Sequence, residues 1–521
     1  MRTFFARHAF CLKQSHLAWI AQRFQLILLS ASLILSACQP QVTAPLAPLT
    51  TPLEQPSGGN PPAATAGPPP PTPYPTRPAY TPAELVDYIA QTGDTLPALA
   101  SHFNTTVPEI MQANPIIPAN ATTLPPGMPM RITIYFAPFW GTPYQSLPDS
   151  TFINGPAQVG FNAQDFVAQS AGWLKEYTAY AAGENRSGAQ IVELVAQNFS
   201  LSPRLLLGLL EYQSGALTQP ALATENLEYP LGFVDRRHTG LYLQLVWAAD
   251  ILNNGYYRWR TGHLTTLELL NGRLERPDPW QNAASVALQF YFSKIMTTDA
   301  YATAISSTGF FQTYSSLFGD PCQQLQPHIP GSLSQPELAL PFQPRRTWAF
   351  TGGPHAAWGT GEPLAALDFA PPAVVGGCTP SQEWGTAVAP GVVVRSEPGA
   401  VVLDLDQDGD ERTGWVIFYF HMADEERVQV GRILQTGDPI GHPSCIGGRA
   451  TGSHLHIARK YNGEWIPAEG LLAFNLEGWV AANGSAPYLG NLTRYSRTLT
   501  ACVCSDSNSQ LESDTSRPPQ P

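Results

Sequence analysis

The stretch His454-Leu455-His456, near the end of this 521-residue chain, places two histidines one residue apart. Side chains alternate between the two faces of a β-strand, so both imidazoles are predicted to lie on the same face of one strand. On such a surface one imidazole can coordinate a metal ion while its neighbour handles a proton. The triplet therefore predicts a strand of a β-sheet that carries a metal site.

Three other polar residues upstream of the triplet have the properties of metal-binding or catalytic residues. Asp368 interrupts the apolar run 365–370, and a buried carboxylate costs free energy unless it is paired or coordinated. His355 follows a Gly-Gly-Pro turn, and His421 closes the apolar run 416–420. A single strand histidine is more often an ordinary buried polar residue than a ligand. Together with the triplet, however, these residues predict a single metal centre in one β-rich region.

From about residue 338 onward, short β-prone runs alternate with turns. Such runs occupy residues 391–395, 400–405, 415–421 and 454–460. Asn462-Gly463 is typical of a hairpin turn. These features predict an antiparallel β domain over residues 336–500, followed by a disordered tail at 501–521.

The histidines and the aspartate of this domain resemble the constellation of the lysostaphin/LytM family of zinc metallopeptidases. The resemblance covers residues 341–467, and the spacing of thirteen residues from His355 to Asp368 is similar to that of the β-lytic branch. It implies Zn²⁺ ligands at His355, Asp368 and His456, and catalytic residues at His421 and His454. The implied activity is a metalloendopeptidase that hydrolyses peptide bonds of peptidoglycan. The alternative is a non-catalytic peptidoglycan-binding regulator or structural lipoprotein.

Residues 84–136 are predicted to form a compact unit with the order strand, helix, helix, strand. Gly93-Asp94 marks a turn after the first strand, and Asn114-Pro115 ends the second helix. With Thr95-Leu96 after that turn, the unit resembles a LysM module, a family that binds N-acetylglucosamine-containing glycans such as peptidoglycan. The resemblance implies a glycan groove lined by Gly93, Asp94, Thr95, Leu96, Asn114, Pro115 and Ile116. The alternative is a small α/β spacer without a ligand.

Residues 160–320 have apolar residues at helical spacing and are predicted to form an all-helical middle domain. Ser202-Pro203 is typical of a helix start, where an N-cap precedes a proline in the first turn. The stretch 201–215 vaguely resembles the start of a lytic transglycosylase, but Gln213 stands at the position of the catalytic glutamate. Glutamine cannot act as a general acid at a glycosidic bond. The domain is therefore expected to be a helical spacer or an inactive lysozyme-like domain.

The N-terminal 37 residues are basic and then apolar, which is typical of a secretory signal peptide. They lead into Leu35-Ser36-Ala37-Cys38, which resembles the lipobox of bacterial lipoproteins and implies a lipid anchor on Cys38. The Pro-rich segment 38–83 cannot bury a core and is predicted to be an extended linker. The protein is therefore expected outside the cytoplasm, lipid-anchored to the membrane and associated with the cell wall. The alternative is an ordinary signal peptide with a chance cysteine.

Charge and cysteine content set further limits. A formal net charge of −12 and the lack of a basic stripe argue against a nucleic-acid partner. Of the seven cysteines, five follow the N-terminal segment and fit two disulfides and one free thiol in an oxidising compartment. The expected link joins the loop of Cys378 or Cys445 to the tail that holds Cys502 and Cys504.

One acidic run, residues 404–410, begins like a calcium-binding loop. The position that needs a bidentate glutamate in such a loop is Trp415, so the coordination would be incomplete. The run is therefore predicted to be an acidic hairpin turn.

Overall fold

The computed structural model describes residues 80–324, 326–373, 376–504 and 506–514. The predicted signal peptide, the lipidation site Cys38 and most of the Pro-rich linker lie outside these residues, as does the end of the C-terminal tail. Within the described part of the chain, no helix is long and apolar enough to cross a membrane.

The N-terminal module has the predicted order of strand, helix, helix, strand. Its elements are β1 (Glu84–Ile89), α1 (Leu96–His102), α2 (Val107–Ala113) and β2 (Pro129–Ile134). Thr106 and Glu109 form a reciprocal capping box at the start of α2, which explains why the helix begins there. Leu99, Phe103 and Ile110 are completely buried between the helices and the two-stranded sheet. The βααβ prediction is confirmed.

The middle domain is mainly helical. Its helices are α3 (Asp149–Phe152), α4 (Ala163–Ala168), α5 (Gly188–Phe199), α6 (Pro203–Ser214), α7 (Thr224–Glu228), α8 (Leu241–Arg260), α9 (Ala283–Ser293), α10 (Thr298–Ala304) and α11 (Phe310–Phe318). The predicted start of α6 is confirmed, because the Ser202 hydroxyl accepts a hydrogen bond from the Leu205 amide at 3.2 Å.

The prediction of an all-helical middle domain is wrong in detail. Two hairpins interrupt the helices, β3 (Thr178–Ala181) with β4 (Glu184–Ser187), and β5 (Leu267–Glu268) with β6 (Leu274–Glu275). In the first hairpin, Ala182 and Gly183 both have positive φ angles, of 48° and 94°. A turn with two positive φ angles matches the twist of paired strands, so it favours a hairpin over a helix.

Among the described residues, the C-terminal domain has fifteen strands, and nine of them form one large sheet. Its strands are β7 (Thr347–Ala356), β8 (Leu364–Ala370), β9 (Gly385–Thr386), β10 (Gly391–Glu397), β11 (Gly399–Asp404), β12 (Trp415–Met422), β13 (Ile433–Leu434), β14 (Pro439–Gly441), β15 (Leu455–Tyr461), β16 (Glu464–Trp465), β17 (Asn475–Leu476), β18 (Trp479–Asn483), β19 (Gly490–Arg494), β20 (Arg497–Thr500) and β21 (Gln510–Glu512). The large sheet has the order β13-β10-β11-β12-β15-β8-β7-β21, with β16 paired to β15. Its neighbouring strands run antiparallel, as predicted.

The tail from residue 501 is not disordered throughout. β21 pairs with β7 and extends the sheet at its edge. Leu511 of β21 is 1% exposed and packs in the core of the C-terminal domain. Burial of this apolar side chain, together with the ladder to β7, orders part of the segment that was predicted to be disordered.

The middle domain packs directly against one face of the large sheet. Phe418 on that face belongs to the same buried cluster as Phe199 of α5. The opposite face forms a separate core that contains Leu455 and Ile457. Because side chains alternate along β15, His456 points to the face that the middle domain covers.

A buried group of charges lies where the three domains meet. Nη2 of Arg260 is 3.1 Å from Oδ2 of Asp149, and its Nε is 3.2 Å from Oε1 of Glu464. His328 approaches Oε2 of Glu464 to 2.6 Å, and Arg260 also donates to the backbone oxygen of Thr92 in the N-terminal module. Burial by itself would raise the pKa of Glu464, but Arg260 and His328 hold that pKa at about 2. The Arg260 side chain therefore links the module, the middle domain and the sheet.

Candidate metal centre

His355, Asp368 and His456 lie together although they belong to three strands. β7, β8 and β15 are neighbours in the sheet, and His456 is paired directly with Asp368. Oδ1 of Asp368 is 3.3 Å from Nε2 of His355 and 3.3 Å from Nδ1 of His456. The two ring nitrogens are 3.0 Å apart. All three side chains are buried, and their ligand atoms form a compact triangle.

This triangle fits a zinc ion. Tetrahedral zinc with nitrogen and oxygen ligands at about 2.0–2.1 Å requires ligand atoms that are about 3.3 Å apart. Oδ1 of Asp368 is buried and makes no hydrogen bond among the described residues, as expected of an atom reserved for a cation. Burial by itself would raise the pKa of Asp368, but His355 and His456 hold it well below its usual value. The carboxylate is therefore ionised and ready to bind a metal.

Backbone carbonyls orient both imidazole ligands. Nδ1 of His355 donates to the Gly353 oxygen at 2.8 Å, and Nε2 of His456 donates to the Ala357 oxygen at 3.1 Å. Each bond places the proton on the outer nitrogen and leaves the lone pair of the other nitrogen facing Asp368. The two rings are thus fixed in the tautomer that a metal ligand needs.

His421 and His454 lie beside this triangle. Nε2 of His454 is 3.6 Å from Oδ1 of Asp368, and the rings of His421 and His454 are 4.5 Å apart. Nδ1 of His421 donates to the Ile446 oxygen at 3.0 Å, and Nδ1 of His454 donates to the Gly452 oxygen at 2.8 Å. These bonds leave Nε2 of both rings able to accept a proton, which is the property of a general base.

The backbone at His421 is in an uncommon conformation. Its φ angle is 61°, in the left-handed region that a residue with a side chain seldom adopts. Such conformations are concentrated at functional sites, where the surrounding structure holds them. Burial lowers the pKa of His421 to about 3, with a further contribution from His454, so the ring is neutral near pH 7.

Two residues at the centre were not identified from the sequence. The ring of Tyr488 stacks on His355 with 4.1 Å between centroids, although Tyr488 lies in a loop before β19 and is 53% exposed. Gly352 permits the approach of Asp368, because a Cβ atom there would be 2.4 Å from Oδ2 of Asp368. The glycine was visible in the sequence as part of a turn, but nothing in the local pattern around Tyr488 relates it to β7.

A disulfide between Cys378 and Cys445 links the two loops that flank His421 and His454. The second disulfide joins Cys502 to Cys504, and Cys322 is free. The expectation of two disulfides and one free thiol is confirmed, but the expected link to the tail is wrong. The two loops lie against each other, since the Ser453 amide donates to the Gly377 oxygen at 2.9 Å. This contact brings Cys378 and Cys445 close enough to form a disulfide.

Replacing Cys378 and Cys445 together by serine is expected to lower the free energy of unfolding by about 4 kcal/mol, because the bond closes a loop of 67 residues in the unfolded chain. Denaturant titration of the purified protein measures this loss. The matched control replaces Cys502 and Cys504, which close a loop of only 2 residues, and should change the midpoint much less. Equal midpoints for the unmodified protein and the Cys378/Cys445 variant would contradict the prediction.

The predicted glycan residues differ in their surroundings. Asp94 accepts hydrogen bonds from Tyr88 Oη and the Gln91 amide, both at 2.7 Å, and therefore serves the turn itself. A Cβ atom at Gly93 would lie 2.6 Å from the Arg260 guanidinium, so this turn contacts the middle domain. The remaining predicted residues divide into two groups: Leu96 and Asn114 are buried and Thr95 caps α1, whereas Pro115 and Ile116 are exposed.

The acidic run after β11 forms a turn that its own carboxylates stabilise. Carboxylate oxygens of Asp404, Asp406 and Asp408 lie within 4.8 Å of one another. The Asp404 carboxylate accepts hydrogen bonds from the amides of Asp406 and Gly409, at 3.2 and 2.9 Å. Burial raises the pKa of Asp404 to about 7. The Asp404 carboxylate thus binds backbone amides of the turn itself, which agrees with the prediction of an acidic hairpin turn.

Comparison with known proteins identifies relatives of the domains. Residues 88–133 match the family model of the LysM domain, and residues 145–330 match the model of the LasA N-terminal domain. Protease LasA of Pseudomonas aeruginosa is 25% identical over 342 residues, which cover 62% of this chain and 75% of the relative.

Solved structures with a related region include the M23 metalloprotease Pseudoalterin, with 22% identity, a TM-score of 0.28, and coverage of 32% of this chain and 96% of that chain. The catalytic domain of lysostaphin from Staphylococcus simulans has 20% identity, a TM-score of 0.17, and coverage of 24% of this chain and 89% of that chain. These sequence matches show that the chain is similar to protease LasA and that residues 88–133 match a LysM domain. Its middle domain is similar to the N-terminal domain of LasA, a family that the sequence patterns did not identify.

Proposed function

We propose that this protein is an extracytoplasmic zinc endopeptidase that binds the cell wall and hydrolyses peptide bonds of peptidoglycan. One observation carries the proposal: ring nitrogens of His355, His454 and His456 lie 3.3, 3.6 and 3.3 Å from Oδ1 of Asp368, and the other nitrogen of each ring donates to a backbone carbonyl. A structural histidine cluster would not need every free nitrogen to face the same carboxylate. This arrangement supports His355, Asp368 and His456 as ligands.

The residues divide the chemistry of amide hydrolysis between them. Bound zinc supplies Lewis acidity, which polarises a carbonyl and acidifies water. His355, Asp368 and His456 hold the ion, and the buried negative charge of Asp368 offsets part of its charge. Nδ1 of His421 and of His454 is held by a backbone carbonyl, so Nε2 of these rings accepts a proton from the attacking water and returns it to the leaving amide nitrogen. Once Nε2 of either ring has accepted that proton, it can donate a hydrogen bond to the developing oxyanion.

The other parts of the chain are proposed to bring the peptidase domain to its substrate. The LysM domain would bind wall glycan, and Cys38, in the lipobox-like segment outside the described residues, would carry the lipid anchor. Tethering at two points raises the effective concentration of a catalytic domain at a polymeric substrate. The alternative, a non-catalytic wall-binding regulator, does not explain why His454 lies 3.6 Å from the Asp368 carboxylate with the His421 ring beside it.

Zymography of the purified protein on peptidoglycan, with and without a chelator, tests this function. Clearing that disappears with the chelator and returns with zinc is the expected result. Clearing that persists in the chelator would exclude a zinc mechanism. Absence of clearing from protein that retains bound zinc, on several peptidoglycan types, would favour the non-catalytic alternative.

A further inference from the structure

The loop 357–363 joins the two strands that carry His355 and Asp368, and helix α8 of the middle domain holds this loop. Oδ1 of Asp250 accepts a hydrogen bond from the Thr360 amide at 2.7 Å. Asn254 donates to the Thr360 oxygen at 3.1 Å and accepts from the Glu362 amide at 3.1 Å. Asp250 and Asn254 are four residues apart, so they lie on the same face of α8.

The loop sequence permits this close contact. Gly359 and Gly361 have φ angles of 74° and 86°, which favour glycine. A Cβ atom at either glycine would lie 2.3 Å from the Oδ1 atom of Asp250 or Asn254. A side chain at either position would push the loop away from α8.

The same loop orients a proposed metal ligand. The Ala357 oxygen, at the start of the loop, accepts the hydrogen bond from Nε2 of His456 at 3.1 Å. Hydrogen-bond partners of this kind fix the ring of a metal-binding histidine. Losing one typically lowers metal affinity by roughly 10- to 100-fold. A continuous path of contacts therefore leads from α8 through the loop to His456.

We infer that Asp250 and Asn254 are positioning residues for the metal centre, acting from the middle domain through the 357–363 loop. The inference rests on the proposed function, because it requires His456 to be a zinc ligand. It assigns the middle domain a part in shaping the peptidase site. A passive spacer would have no such effect.

The test is zinc affinity of the full chain, measured by competition with a chromophoric chelator. The double variant Asp250→Ala/Asn254→Ala is expected to bind zinc on the order of tenfold or more weakly. Asp250→Asn keeps an oxygen for the Thr360 amide and should restore most of the affinity lost in Asp250→Ala. The matched control, Gln197→Ala, removes another bond between the same domains, from Gln197 to Oε1 of Glu411 at 2.7 Å, and should leave affinity unchanged.

Equal zinc affinity in the double variant and the unmodified protein would overturn the inference. An equal loss in Gln197→Ala would also overturn it, because general loosening of the domain interface would then be the cause. Absence of zinc binding by the unmodified protein would instead overturn the proposed function, and this inference with it. Circular dichroism and thermal unfolding identify a variant that fails to fold. If the double variant does, the comparison of Asp250→Ala with Asp250→Asn decides, and equal zinc affinity in these two variants would overturn the inference.

A different set of contacts concerns the LysM domain. The segment 329–333, between the middle and C-terminal domains, runs along its loops. The Thr92 hydroxyl accepts from the Ile329 amide at 2.9 Å, and the Thr123 hydroxyl donates to the Pro330 oxygen at 2.7 Å and accepts from the Leu333 amide at 3.0 Å. The loop that holds Thr92 and the loop that holds Thr123 lie next to each other, because the Leu124 amide donates to the Asp94 oxygen at 2.8 Å.

These contacts lie at the edge of the predicted glycan residues Gly93 to Leu96. We propose that the segment 329–333 occupies part of the glycan-binding surface, and that a wall glycan binds only by displacing it. This second proposal rests on glycan binding by the LysM domain. The occupant is an extended peptide backbone held through threonine hydroxyls, and a glycan offers competing hydroxyl and amide groups to the same residues.

Binding of the full chain to a tetramer of N-acetylglucosamine, measured by calorimetry after removal of metal, tests this proposal. Gly331→Val should strengthen binding by about tenfold, because a Cβ atom at Gly331 would lie 2.7 Å from Pro125 and would push the segment off the loops. The matched control, Gly376→Val, has nothing within 4 Å of the added Cβ atom and should not change affinity. Saturating tetramer should also speed hydrogen exchange at the amides of Ile329 and Leu333.

Equal affinities for Gly331→Val and the unmodified protein would overturn competition by the segment. Tetramer binding without faster exchange at Ile329 and Leu333 would overturn it as well. If neither protein binds the tetramer, glycan binding by the LysM domain fails and the competition fails with it. Should Gly331→Val misfold, the exchange measurement on the unmodified protein decides.

Discussion

Replacing His456 by alanine is expected to lower the rate of peptidoglycan hydrolysis by about a thousandfold and to abolish tight zinc binding. A proposed ligand is removed, and Asp368 and His355 alone cannot hold the ion in a defined position. Losing zinc removes several kcal/mol of transition-state stabilisation, and about 4 kcal/mol corresponds to a factor of about a thousand. Release of soluble muropeptides measures the rate, and inductively coupled plasma mass spectrometry after gel filtration measures bound zinc.

A second buried histidine provides the matched control. The ring of His442 packs at a tilt against Trp384, with 3.9 Å between centroids, and its Nε2 lies 3.0 Å from Oε2 of Glu426. His442→Ala therefore creates a cavity of similar size in the same domain and should retain bound zinc. If His456→Ala keeps both zinc and activity, the ligand set is wrong. If both variants lose zinc equally, unfolding explains the result.

Replacing His454 by alanine is expected to leave zinc bound but to lower kcat by about 10²–10⁴, the usual contribution of general acid–base catalysis. Its ring faces the site, with Nε2 at 3.6 Å from Oδ1 of Asp368, but it lies outside the closest triangle of ligand atoms. The measurement pairs metal content with steady-state kinetics on a soluble peptidoglycan fragment. Loss of zinc in His454→Ala would show that this residue is a ligand and not a proton carrier.

His421→Ala provides the comparison for that experiment. His421 is more deeply buried than His454, and its backbone is in the left-handed region. The centroids of the two rings are 4.5 Å apart. Both variants should keep zinc and lose rate. A variant that retains nearly full activity would assign the proton transfer to the other histidine, a division of roles that the sequence does not give.

Local patterns predicted the elements that surround the site. Alternation of polar and apolar residues predicted the strand that holds His456, and Asn462-Gly463 predicted the hairpin that follows it, as β15 and β16 confirm. The Ser202-Pro203 pair predicted the start of α6. Such patterns succeed because alternation and capping depend on residues close together in the chain.

Contacts between distant residues were predicted less well. The stacking of Tyr488 on His355 and the pairing of Cys378 with Cys445 depend on how loops from separate strands meet. The first hairpin inside the middle domain depends on positive φ angles at Ala182 and Gly183, and alanine gives no sign of such a conformation. These features follow from tertiary packing, which composition and periodicity do not encode.

The sequence by itself predicted a strand at the triplet His454-Leu455-His456, because side-chain alternation is a property of the backbone; β15 begins at Leu455, and His454 forms a bridge to Ser444 just before it. Only the tertiary structure decided what those imidazoles meet. The order of β15, β8 and β7 in the sheet brings Asp368 and His355 to His456, and α8 holds the loop that bonds to His456. A metal centre requires residues that are far apart in the sequence to lie within a few ångströms of one another, and only the packing of the folded chain brings them there.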